Sequence, residues 1–159
     1  MPERGTWTVC CYIVADVNDK SGGLSESALE RAAKRVLENL AELEPELVNA
    51  GIFDLDREAV AVSSDSPGWP MEAVGLLDAL EAASGEERFD SAHIASENGE
   101  VFVVSESGLS LVAVTGRFVL ASLTSYDMRM ALRDVARAEF NAEAGKASGQ
   151  AESEGSNDA

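Results

Sequence analysis

The chain has 159 residues, 45% hydrophobic and 26% charged, a composition that suits one globular domain able to bury a core without disulfide staples. Its 29 acidic residues against 12 basic ones give a formal net charge of −17 and a pI near 4.2. That balance argues against nucleic acid as a partner, because binding it needs a basic patch that releases counterions, and it disfavours anionic membranes.

Residues Thr6 to Val17 alternate, with Trp7, Val9, Cys11, Ile13, Ala15 and Val17 on one side, which predicts an N-terminal strand over 6–17. The two cysteines, Cys10 and Cys11, are neighbours that point to opposite faces of that strand. They form no disulfide framework, have no metal-type spacing and read as small apolar side chains. The apolar run from Val9 to Ala15 is too short for a membrane span and lacks a charged start and a cleavage pattern, so a cytoplasmic protein without direct membrane insertion is expected.

After a turn over 18–23, Ser27 followed by Glu30 forms a capping-box signature. Leu29, Ala32, Ala33, Val36, Leu37, Leu40 and Leu43 then recur at helical spacing, predicting a helix that ends near Pro45. Ala50 to Leu55 and Ala59 to Ser63 read as two short strands around the turn 54–57. A loop rich in Ser, Pro and Gly leads to a second helix from about Pro70 to Ala83, whose apolar face carries Ala73, Leu76, Leu77 and Leu80. Beside that face Gly75, Ala79 and Ala83 lie four apart, with Ala82 adjacent. This row of small residues either admits another helix at close range or packs tightly on the sheet.

Phe89 to Glu97 and Glu100 to Ser105 flank Asn98-Gly99, a strong hairpin signal that requires positive φ at both central residues. A further strand runs from Leu109 to Thr115. Thr124, three before Asp127, marks a C-terminal helix with Met128, Leu132, Val135, Ala136 and Phe140 on one stripe, starting somewhere between Phe118 and Thr124. Residues 141–159 hold almost nothing to bury, so an acidic disordered tail is expected there, leaving 1–140 as the domain.

Catalytic patterns are missing. The single histidine, His93, sits mid-strand beside the hairpin without a nucleophile and acid around it. There is no G-x-S-x-G elbow and no phosphate-cradling glycine motif. Asp54 and Asp56 could hold a hard cation, yet two carboxylates across a tight turn are ordinarily solvated turn formers. No enzyme, no cofactor and no metal site is expected. Only three basic residues are lysines (Lys20, Lys34, Lys146), and the carboxylates are spread along the chain, as in proteins adapted to concentrated salt; arginine-rich codon usage is the plainer alternative.

The order of helix, two strands, helix, three strands and helix from about Ser25 to Phe140 resembles the Roadblock (dynein-light-chain-like) domain family. The likeness is carried by Leu47 to Asp56, similar to the family's first strand and acidic turn. It is carried also by Gly108 to Arg117, running into Leu120 to Arg129 and Ala131 to Val135, similar to the final strand and helix. Arg57 and Glu58 stand where many members have a glycine, and the strand over 6–17 is extra. The extra strand leaves longin-like and profilin-like layouts open.

The resemblance implies an α+β fold with one central, mostly antiparallel sheet flanked by helices. It implies a homodimer in which the second helix and the third strand meet their symmetry mates; Gly75, Ala79, Ala82 and Ala83, and His93 and Ala95 in the strand before Asn98, occupy the matching positions. It also implies a non-enzymatic regulator or scaffold of a Ras-like small GTPase, with a light-chain adaptor in a larger complex or a small-molecule sensing domain as alternatives.

Overall fold

A computed structural model describes residues 27–85 and 88–149. The strand expected over 6–17 lies outside these residues. The first element is helix α1 (Ala28–Leu43), and its start follows the sequence signal closely. The Ser27 hydroxyl accepts from the Glu30 amide at 3.1 Å while the Glu30 carboxylate accepts from the Ser27 amide at 3.0 Å, so two amides that the helix leaves unpaired are satisfied reciprocally. The helix stops at Leu43 because Pro45 disfavours helical geometry at Glu44, whose amide still reaches back to the Leu40 carbonyl.

Strands β1 (Leu47–Phe53) and β2 (Ala59–Ser63) follow, then helix α2 (Trp69–Ser84) with proline in its first turn. Strands β3 (Ser91–Ala95), β4 (Glu100–Glu106) and β5 (Leu109–Thr115) lead into helix α3 (Ala121–Gly149). The five strands form one antiparallel sheet in the order β2-β1-β5-β4-β3.

Alternation along the strands divides the core into two layers. Ala50, Ile52, Phe102, Val104, Leu111 and Ala113 face α1 and α3, which bury Ala33, Leu37 and Leu40 and Met128, Leu132 and Val135 against them. Phe53, Val103 and Val112 face the other way and receive α2 through Trp69, Ala73 and Leu77. The helices thus sit two on one face and one on the other, and α2 is held by a narrow ridge whose residues lie four apart.

Three local readings need correction. Asn98 has no positive φ and Gly99 is nearly extended at φ 158, so the β3–β4 connection is not the two-residue turn its sequence predicts. Residues 96–99 form a wider loop in which the Ser96 amide and hydroxyl both donate to the Gly99 carbonyl, at 2.9 and 2.8 Å. The left-handed pair occurs instead at Ser107 and Gly108, φ 56 and 79, where Glu106 pairs directly with Leu109.

Thr124 is not a cap either. It lies inside α3, almost fully buried, and its hydroxyl donates to the Glu44 carboxylate at 2.7 Å, tying the start of α3 to the end of α1. Finally, α3 continues through residues 141–149, where the sequence predicts a disordered tail. Alanine, glutamate and lysine in that stretch favour helix without needing burial, and the apolar pattern alone does not register that preference.

Candidate functional site

The acidic turn at 54–58 is built from its own backbone. Asp54 Oδ1 accepts from the Asp56 and Glu58 amides, both at 2.9 Å, which makes Asp54 a turn former. Among the described residues no group of three or more His, Cys, Asp or Glu side chains could hold a metal ion. Arg57 takes the left-handed conformation, φ 66, that glycine ordinarily occupies. Its guanidinium turns onto α2, where Nε donates to Asp78 at 3.1 Å and Nη2 donates to Glu81. The arginine that departs from the family pattern therefore accepts a strained backbone and neutralises part of the acidic edge of α2.

Beyond that edge α2 presents the small row. Gly75, Ala79, Ala82 and Ala83 are all exposed, and a methyl group placed on Gly75 would meet nothing within 4 Å. Within this chain the row does not pack on the sheet; the sheet side of the helix is Trp69, Ala73 and Leu77. Met71, 82% exposed, extends the same surface by one turn toward the helix start.

Strand β3 is one of the sheet's two edges, β2 being the other. It pairs with β4 on one side, and no described strand covers the other. Its backbone is therefore open to pairing with a further strand. His93 and Ala95 do not share a face with α2. His93 is opposite Phe102 in the register, stacks on that ring at 4.4 Å between centroids, and places Nε2 2.7 Å from Glu100 Oε2, all on the α3 side. The β3 side chains on the α2 side are Ala92 and Ile94, opposite Val103 and Val101. Ile94 is 42% exposed and is not singled out by the sequence, because the pleat phase of an isolated edge strand is undetermined until its partner is known. Glu100 also accepts the Phe118 amide at 2.9 Å through Oε1, so one carboxylate joins the edge strand to the segment before α3.

No protein-family model matches the sequence, and neither does any curated protein. The fold does match solved structures. A Roadblock/LC7 domain from Streptomyces avermitilis superposes with a TM-score of 0.56 at 19% identity, over 64% of this chain and 92% of that one. The gliding protein MglB of Thermus thermophilus gives 0.59 at 19% identity, over 72% and 93%. An MglB described in a tetrameric arrangement gives 0.59 at 20%, over 79% and 99%.

The chain has the Roadblock fold.

The Roadblock architecture accounts for the shape of the candidate surface. Its sheet has β3 at one edge and α2 alone on one face, which leaves the β3 backbone, Ile94 and the small row of α2 uncovered among the described residues. No described helix of the chain is long and apolar enough to cross a membrane.

Proposed function

We propose that this chain is a homodimeric, non-enzymatic regulator or scaffold that acts on a Ras-like small GTPase through protein–protein contact. Two observations carry the reading, a sheet edge unpaired among the described residues and an exposed helix face of small residues. β3 would pair with its symmetry mate and extend the sheet, while the small row would let two copies of α2 approach closely. Asp78 and Glu81 beside the row would repel their counterparts, and the Arg57 ion pairs reduce that repulsion. The GTPase rests on the Roadblock resemblance, whose members commonly bind such partners. The similarity to an MglB in a tetrameric arrangement supports self-association.

The dimer is tested by Ala79→Glu and Ile94→Lys, which place bulk and charge on the helix row and on the edge. Both are expected to move the protein from dimer to monomer in light scattering. A parent chain that is monomeric, or variants that stay dimeric, would refute the surface. For the partner, the chain is mixed with a small GTPase encoded beside it. Binding, or a change in nucleotide hydrolysis or exchange, is expected, and no effect on any of the three would sink the GTPase reading. An adaptor role is the second reading, favoured if the dimer instead holds a non-GTPase protein in a stable complex.

A further inference from the structure

The arginines of this acidic chain are not spread evenly. Four of its nine, Arg57, Arg88, Arg129 and Arg133, line a single cleft of about 450 Å³ around the β4–β5 turn. They come from three places in the sequence and meet only because the β1–β2 turn, the segment before β3 and the first half of α3 converge on that end of the sheet. With a formal net charge of −17 there is no shortage of carboxylates to neutralise them, yet among the described residues two of the four make no ion pair.

Arg57 is occupied by Asp78 and Glu81, and Arg133 by Glu106. Arg129, one turn before Arg133 on the same face of α3, has as its hydrogen bond among the described residues only the Ser91 hydroxyl at 3.3 Å. Arg88 makes no hydrogen bond or ion pair among the described residues and is exposed at the rim. Guanidinium groups present a planar fork that matches phosphate and carboxylate oxygens, so two forks on one cleft with no carboxylate partner among the described residues can form an anion-binding pair.

A second feature restricts the ligand further. Glu106 also lines the cleft, and its Oε2 is buried with no hydrogen-bond partner among the described residues, while Oε1 accepts from Arg133. A buried carboxylate oxygen lacking a donor is costly, and it calls for a hydroxyl or amine to complete it. The bond to Glu106 and its charge raise the Arg133 pKa above its ordinary value. The hydroxyls of Ser105 and Ser110, bonded to each other at 2.8 Å, add a polar wall.

We infer that this cleft binds a small hydroxylated phosphate ester, its phosphate held by Arg88 and Arg129 and one of its hydroxyls donating to the Glu106 carboxylate, whose Oε2 turns from its buried position toward the cleft to meet it. The volume lies at the lower end of small-molecule sites, which suits a sugar phosphate better than a dinucleotide. The site does not require the dimer or the GTPase, since every residue in it belongs to one chain.

Ribose 5-phosphate is the probe, titrated calorimetrically into the full chain alongside inorganic phosphate and ribose. Ribose 5-phosphate should bind saturably and more tightly than phosphate, and ribose should not bind. Arg129→Gln and Arg88→Gln, each checked for an unchanged circular dichroism spectrum, should each weaken ribose 5-phosphate by about tenfold or more, the loss expected for one charge-assisted hydrogen bond. Glu106→Gln should leave phosphate binding in place and bring the two affinities to within about twofold, because the amide turns its oxygen to Arg133 and presents no carboxylate to the hydroxyl. Absence of binding at millimolar concentration in dilute buffer, or binding that neither arginine variant changes, would overturn the site. A preference for ribose 5-phosphate that survives Glu106→Gln would overturn the role given to Glu106.

Discussion

Leu77→Ala tests whether α2 is held by one narrow ridge. Leu77 is fully buried, between Phe53, Trp69, Ala73, Val103 and Val112, and with Trp69 and Ala73 it makes up the buried positions of the helix. The substitution removes three carbon atoms, about 2.4 kcal/mol of transfer free energy at 0.8 kcal/mol for each. A cavity term adds to that, because the rigid sheet beneath, with Val103 and Val112 fixed in the middle strands, has little room to collapse. The expected cost is about 3–4 kcal/mol, or roughly 10–15 °C in melting temperature for a domain of this size. The control is Glu38→Ala on α1, exposed and outside the proposed dimer surface, which should cost no more than about 0.5 kcal/mol. Both are followed by circular dichroism melting at one fixed protein concentration in molar potassium chloride, since a dimer makes stability concentration-dependent. A shift under about 4 °C for Leu77→Ala, or equal shifts for the two variants, would refute this docking geometry.

Arg57→Gly should be close to neutral, because relief of about 1–2 kcal/mol of left-handed strain offsets exposed ion pairs worth at most about 1 kcal/mol, whereas Arg57→Val should lose clearly more stability in urea melts. Gly99→Ala would place its Cβ 2.5 Å from the Thr115 carbonyl oxygen, and the backbone shift this forces should cost about 1–3 kcal/mol in the same assay; an unchanged midpoint would mean that β5 does not approach the loop so closely. Thr124→Val keeps the shape but removes the donor to a buried Glu44 carboxylate, and a loss of about 1–3 kcal/mol is expected, a neutral result showing that the bridge between α1 and α3 is not formed. Since carboxylates so outnumber basic groups, the melting temperature should climb steeply from dilute buffer to molar potassium chloride, and a flat profile would rule out salt adaptation.

Local chemistry is legible in the amino-acid sequence by itself. The Ser27 and Glu30 capping box, the strands over Ala59–Ser63 and Leu109–Thr115 and the proline at the start of α2 can each be read within a few residues, because capping, alternation and proline stereochemistry act over that range. The element order, and with it the Roadblock resemblance, follows from the same short-range signals. What they cannot supply is phase and convergence. The face on which Ile94 and His93 lie depends on β3 pairing with β4, and the left-handed turn sits at Ser107-Gly108 because strand register closes there and leaves Asn98-Gly99 in a wider loop. Arg57, Arg88, Glu106 and Arg129 likewise share a cleft only because the fold brings the ends of three connections and the first half of α3 together, and no periodicity along a chain encodes a distance between segments so far apart in it.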